Sequence, residues 1–141
     1  MPKLYKSKCY CTNLRRSANA ITEYYNRCFS DLDLTVAQYY IMVNLSRIKN
    51  ANSSDLSKII GLERSTLVRN IQGLIKKGWV NEGGEGKGRQ FKLTKRGEKL
   101  IENVKPKWEE AQDKIKKFLG EEDSSALLRI ADKLQYLDEI L

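Results

Sequence analysis

Apolar residues recur at intervals of three and four along most of this chain, and the intervals divide it into helices. Between Cys11 and Leu32 they fall at Leu14, Ala18, Ile21, Tyr25, Cys28 and Leu32, with spacings of 4, 3, 4, 3 and 4. That heptad-like seam predicts one long helix, closed near Asp31 and Asp33. Thr35-Val36-Ala37-Gln38 has the form of a capping box, Thr35 as cap and Gln38 reaching back. It predicts a second helix carrying Tyr39, Met42, Val43 and Ile48 and ending near Lys49. Asn50-Ala51-Asn52 reads as a polar turn. Towards the other end, Ile101, Val104, Trp108, Ala111, Ile115 and Phe118 are spaced 3, 4, 3, 4 and 3, with Leu100 and Leu119 alongside. Thr94 caps this helix, Gly120 ends it, and Pro106 inside it predicts a kink or a local break. A last helix, from about Glu121, carries Leu127, Ile130, Leu134, Leu137 and Leu141.

The stretch from Asn52 to Lys77 reads as two shorter helices around a glycine. Asn52 or Ser53 can cap the first, and Asp55 suits its opening turn. Leu56, Ile59 and Ile60 form its apolar face. Gly61 supplies the left-handed residue that closes it. The second helix follows Leu62 and stripes Leu67, Ile71, Leu74 and Ile75 along one side. Its other side shows Arg64, Ser65, Thr66, Arg69 and Asn70, then Lys76 and Lys77, with no carboxylate after Glu63. A helix that had only to be soluble would interleave Glu with Lys at a spacing of four. Long cations with short hydrogen-bonding groups at the helix start suit a recognition helix in the DNA major groove. The segment is therefore read as a helix-turn-helix over residues 52–77, with Ser54 as a further DNA contact. The alternative is a solvated basic face. Gly73 inside the second helix costs on the order of 1 kcal/mol against Ala, and close backbone packing is the one account the sequence offers for it.

After Lys77 the period changes. Gly78 stops the helix, and Trp79-Val80 and Phe91-Lys92-Leu93 are strand-like. Four glycines stand among the eight residues Glu82 to Arg89. This predicts a two-stranded hairpin, a wing over residues 79–93 with a flexible tip, from which Lys87 and Arg89 reach phosphates or the minor groove. No helix opens within the glycine run, so it is not a dinucleotide fingerprint, and no cofactor is expected.

The chain has 141 residues, enough for one domain with a real core, and a net charge of +8. That charge is unevenly placed: +3 over residues 1–34, +8 over 35–97 and −3 over 98–141. The excess lies over the helix-turn-helix and its flanks, as expected for a polyanion partner, and the acidic tail argues against a membrane surface. No apolar run approaches the roughly 20 residues of a membrane span, and a cytoplasmic protein is expected. Three cysteines and no histidine speak against a structural zinc site, and the odd number suggests free thiols. With no histidine, no metal-ligand cluster and no nucleophile beside a base, an enzyme is not expected. The terminal helices, residues 9–33 and 98–141, carry narrow apolar seams that a small winged domain cannot bury. Two copies joined in a twofold dimer would use them; the alternative is packing of the ends on each other.

The order of elements and three motifs resemble the multiple-antibiotic-resistance regulator (MarR) family. The motifs are Leu34-Thr35-Val36-Ala37-Gln38, Leu62 to Asn70, and Leu93-Thr94-Lys95-Arg96-Gly97. The opening Cys9 to Arg16 resembles one subgroup of that family. The resemblance spans Cys9 to Leu141 and implies a mainly α fold: a winged helix-turn-helix, residues 35–97, between dimerisation helices in a single MarR-type domain. It further implies a homodimeric regulator, more often a repressor than an activator, that binds a pseudo-palindromic operator in double-stranded DNA. Such regulators let go when a small ligand or an oxidant acts. By position, Arg64, Ser65, Thr66, Arg69 and Asn70 would touch bases and phosphates. Lys87 stands where the family's wing arginine stands, and Glu85 where an aspartate orients it. Lys lacks the planar fork of Arg. Glu63 replaces a shorter aspartate and caps less well.

Two triggers are open. Tyr24, Tyr25, Tyr39 and Tyr40 place four phenols on the first two helices, near where the family holds aromatic ligands; otherwise they are core residues with satisfied hydroxyls. Cys9 and Cys11 lie at a helix start beside Lys8, Arg15 and Arg16, surroundings that favour the reactive thiolate. Peroxide-sensing family members use a thiol near this region, and inert thiols are the alternative. Cys28 lies 17 residues from Cys11, about 26 Å along one helix, so a bridge within the helix is excluded. The rival readings are a constitutive winged-helix DNA-binding or basal transcription and chromatin protein without effector, and a protein-interaction module.

Overall fold

A computed structural model describes residues 5–84 and 88–141. The elements in order are α1 (Tyr10–Cys28), α2 (Val36–Ile48), α3 (Ser53–Ile60), α4 (Arg64–Lys76), β1 (Val80–Gly83), β2 (Gln90–Leu93), α5 (Lys95–Leu119) and α6 (Glu121–Leu134). Two compact units result, Met1–Lys105 and Pro106–Leu141. The architecture is mainly helical with one antiparallel hairpin, the winged helix-turn-helix expected.

Helix ends follow local chemistry. The Thr35 hydroxyl accepts the Gln38 N–H at 3.2 Å, and the Gln38 side chain accepts the Thr35 N–H at 3.2 Å, completing the capping box. Asn52 caps α3 by accepting the Asp55 N–H at 2.8 Å, and Gly61 closes that helix at φ 76°. Glu63 begins α4 without a side-chain cap. Thr94 Oγ1 accepts the Gly97 N–H at 3.0 Å and donates to the Gly78 carbonyl at 2.7 Å. One threonine thus starts α5 and ties it to the chain leaving α4.

The core of the first unit gathers around α2, which touches α1, α3, α4 and β2. Ile41, Met42, Leu45, Leu56, Leu67, Ile71, Leu74 and Phe29 are fully buried there. Burial of each such side chain is worth about 1.5–3 kcal/mol. Being covered from several sides, α2 buries Ile41 and Leu45 as well as Tyr39 and Met42, whereas Ile48, assigned to its apolar face from spacing, is exposed. Ile59 on α3 is likewise 54% exposed. An eight-residue helix lying against its neighbours along one line buries Leu56 and leaves its shoulder to solvent.

The hairpin pairs Val80 with Leu93 and Glu82 with Phe91, placing Val80, Phe91 and Leu93 on the core side. Ala51, expected in a polar turn, is buried and adds a bridge to the sheet: its N–H and carbonyl exchange hydrogen bonds with Phe91 at 3.4 and 2.9 Å. Lys49, at φ 70° and ψ −48°, makes the sharp turn that delivers Ala51 there, closed by the Asn50 N–H on the Ile48 carbonyl.

Two boundaries differ from those the spacing predicts, and of the kink or break expected at Pro106 there is no break. α1 ends at Cys28, not Leu32, because Phe29 turns into the core and rests edge-on against Tyr39, with ring centroids 5.5 Å apart. α5 runs through Pro106 without a break. α6 ends at Leu134, and a 3-10 turn covers Leu137–Ile140. Within the second unit, Gly120 at φ 82° separates α5 from α6. No helix among the described residues is long and apolar enough to cross a membrane.

Candidate nucleic-acid interface

α4 is anchored from beneath by Leu67, Ile71 and Leu74, all fully buried. A helix held along that stripe must turn its other side outward. Arg64, Ser65, Arg69 and Lys76 are exposed, and Thr66 and Asn70 are half-buried. Asn70 Nδ2 donates to the Thr66 carbonyl one turn back at 2.9 Å, which leaves its amide oxygen as an acceptor for a base edge. Ser54 is exposed in the first turn of α3. Of the six polar residues predicted on α4, four are thus exposed and two half-buried, with Ser54 exposed on the preceding helix.

Lys77 differs from its neighbour Lys76. Its ammonium donates to the Asp33 carbonyl, lies 3.4 Å from the Asp33 carboxylate and sits 5.0 Å from the centroid of the Trp79 ring. It belongs to the fold's internal fastenings, which one-dimensional spacing could not show, since Asp33 lies 44 residues away.

On the hairpin, Arg89 Nη1 pairs with Glu82 Oε1 at 3.0 Å. Lys87 and Glu85, the residues the resemblance placed at the wing tip, lie outside the described residues. Among those described, the cation that the hairpin holds by a carboxylate is Arg89. Antiparallel pairing brings Glu82 beside Phe91 and the residues flanking it, a neighbourhood that spacing along the chain does not show.

The phenols lie in adjoining pairs along the first two helices. Tyr24 meets Tyr25 edge-on at 5.6 Å, Tyr25 approaches Phe29 at 6.4 Å, and Tyr39 lies 6.1 Å from Tyr40. Tyr25 and Tyr39 are buried and Tyr40 is at the surface. Burial first, then the neighbouring Tyr40 and Tyr24, push the Tyr25 hydroxyl well above its ordinary value. Two cavities of about 300 Å³ lie elsewhere, one on the outer side of the hairpin at Asn81, Gln90 and Lys92, the other at Leu45, Lys49, Lys92 and Glu98. Neither is lined by these tyrosines.

Cys9 and Cys11 are exposed at the start of α1, and Cys28 is half-buried at its end; all three are free thiols. Hydrogen bonds from the Thr12 side chain and then its backbone hold the Cys9 thiol below its ordinary value. Of the cations expected to act here, Arg15 reaches Cys11 Sγ at 3.8 Å, whereas Arg16 donates to the Tyr5 carbonyl and covers its ring.

Residues 32–90 match the model of the MarR family. The fold is similar to that of several solved regulators. MosR, a transcriptional regulator of M. tuberculosis, superposes with a TM-score of 0.84 at 25% identity, over 96% of this chain and 98% of that one. Its complex with DNA gives a TM-score of 0.80 at 26% identity, over 94% and 98%. BpsR of Bordetella bronchiseptica, whose DNA binding is regulated by 6-hydroxynicotinic acid, gives 0.84 at 20% identity, over 94% and 98%. The oxidised form of MarR from E. coli gives 0.74 at 20% identity, over 92% and 96%.

Proposed function

We propose that this chain, whose residues 32–90 match the model of the MarR family, is a dimeric repressor of a pseudo-palindromic operator. The observation that carries this reading is α4, where Arg64, Ser65, Arg69 and Lys76 are exposed and Thr66 and Asn70 half-buried on a helix anchored by a buried apolar stripe. Arg64, Arg69 and Lys76 neutralise phosphates or fork onto guanine, and Asn70 offers an amide to adenine. Ser54 and Arg89 flank them, and Lys87 adds a cation at the wing. Affinity then comes mainly from counterion release, and sequence preference from the base edges.

Dimerisation is supported by apolar side chains left in solvent. Leu14 and Ile21 on α1 are 44% and 37% exposed, and in the second unit Phe118 and Leu128 are 89% and 70% exposed. A second copy could cover them, and two recognition helices about 34 Å apart would demand half-sites one turn of duplex apart. Release is assigned to a small aromatic ligand at Tyr24, Tyr25, Tyr39 and Tyr40, or to oxidation of Cys9 or Cys11. The ligand version draws on a pocket completed by the partner copy, since neither of the two cavities described is lined by these tyrosines. BpsR, whose DNA binding is regulated by 6-hydroxynicotinic acid, is a precedent for the first trigger, and MarR of E. coli is known in an oxidised form.

The test is fluorescence anisotropy on duplexes from the region upstream of the gene, against random duplex of the same length, with sedimentation run in parallel. A dimer that prefers one symmetric site, and loses it as salt rises from 50 to 200 mM, supports the reading. Equal affinity for random duplex, or binding as single subunits, refutes it. Salicylate-like compounds and peroxide added to the preformed complex then separate the two triggers.

A further inference from the structure

Two polar contacts among the described residues fasten α1 and the turn after it to the winged helix-turn-helix at separate places. At the start of α2, Asn26 Oδ1 accepts the Val36 N–H at 2.8 Å, next to the buried contact of Phe29 with Tyr39. At the far end of α4 stands Lys77. Its ammonium is held at once by the Asp33 carbonyl, by the Asp33 carboxylate at 3.4 Å and by the face of Trp79 at 5.0 Å. Asp33 belongs to the turn between α1 and α2 and has φ 52°, a left-handed conformation that directs its carbonyl and is uncommon outside glycine. Trp79 opens the hairpin. One side chain thus joins the turn after α1, the end of α4 and the base of the wing.

We propose that Lys77 is a positioning residue for operator reading: by bridging Asp33 and Trp79 it sets the angle of α4 to α1, and so the half-site spacing the dimer accepts. The proposal rests on the regulator reading above. Its magnitude follows from lever length. α4 has 13 residues, about 20 Å at 1.5 Å per residue, with Lys77 at one end and Arg64 at the other. A turn of about 10° about the Asp33 fastening carries Arg64 by about 3.5 Å, close to the 3.4 Å rise of one base along a strand. Two protomers moving in opposite senses change the separation by about twice that. The buried stripe of α4 keeps the helix fixed within its own winged body, so the freedom removed by Lys77 is that of the body about the turn after α1. The ammonium already faces a carboxylate, so it adds little to phosphate attraction.

The experiment uses the full chain and a symmetric operator selected from a random duplex pool, remade with one or two base pairs added to or removed from its centre. Wild type is expected to lose at least about tenfold in affinity for a one-base-pair change, Lys77→Met less than about threefold, and Lys77→Arg to restore most of the discrimination. Asp33→Asn, which keeps the backbone acceptor, should fall between; it carries the test if Lys77→Met does not fold. Loss of packing alone would weaken all spacings by one factor and leave their ratio intact, as expected of the stability control Asn52→Ala. Wild-type ratios retained in the folded Lys77 and Asp33 variants overturn the proposal and leave the regulator reading standing. Failure of wild type to bind any selected duplex overturns both.

Discussion

Two glycines lie inside helices with no left-handed φ to explain them, and the same substitution at each should change stability in opposite directions. At Gly73 in α4, an added Cβ would meet the Gln38 side-chain nitrogen at 3.5 Å, an ordinary contact. Close backbone packing, the reason the sequence suggested, is therefore not what keeps glycine there. Gly73→Ala should recover the helix propensity that glycine forfeits, about 0.5–1 kcal/mol. At Gly97 in the first turn of α5, the added Cβ would lie 2.2 Å from the Trp79 carbonyl oxygen and 3.1 Å from its carbon. That oxygen is not free to retreat: it accepts the Thr94 N–H at 3.1 Å, and Thr94 holds the Gly78 carbonyl. Relief needs a shift of about 1 Å between α5 and the base of the wing, an overpacking cost of about 1–3 kcal/mol that exceeds the propensity gain. Since the propensity gain is common to both, the two variants should differ by about the overpacking cost, about 1–3 kcal/mol, or roughly 2–12 °C in Tm at about 2–4 °C per kcal/mol. Urea unfolding and thermal melts at one fixed protein concentration measure this, since dimerisation would make Tm concentration-dependent. A Gly97→Ala protein as stable as wild type, or a Gly73→Ala protein clearly weaker, would refute the packing argument.

Other outcomes follow from the same geometry. Lys76→Gln should lower the slope of log affinity against log salt by about 1.8 per dimer if each Lys76 meets one phosphate, whereas Lys77→Gln, its charge already matched by Asp33, should leave the slope unchanged; titrations at four salt concentrations decide. Arg69→Ala should cost about 1–3 kcal/mol per specific contact and relax base preference at one position of each half-site, and an unaltered preference in a binding selection would remove Arg69 from base readout. Cys9, with its pKa lowered by Thr12, has its thiolate stabilised: in a Cys11→Ser, Cys28→Ser background its alkylation should persist to lower pH than that of an ordinary thiol and decline as pH falls through its own pKa. Thr12→Val should move that midpoint up, and an unmoved midpoint would contradict the assignment. Asn52→Ala should cost about 1 kcal/mol by removing the α3 cap, read from the urea midpoint.

Periodicity, capping chemistry and charge placement determined most of the architecture. Thr35, Asn52 and Gly61 act through partners within four residues, as does Thr94 in capping α5, so these roles can be read along the chain; the hold of Thr94 on Gly78, 16 residues away, cannot. The outward side of α4 was legible for the same reason, because a helix with one apolar stripe has its opposite side set by the 3.6-residue period. What the tertiary structure alone decided involves residues far apart in sequence. Ala51 left its polar turn for the sheet because Phe91 offered two hydrogen bonds. Phe29 ended α1 early because Tyr39 waited in the core, and Ile59 stayed in solvent because a short α3 meets its neighbours along one line. Lys76 and Lys77 are identical as letters, yet one faces solvent and the other clasps Asp33. Local patterns encode which side of an element is apolar; which distant group meets a given side chain depends on how the elements stack, and no interval along the chain records that.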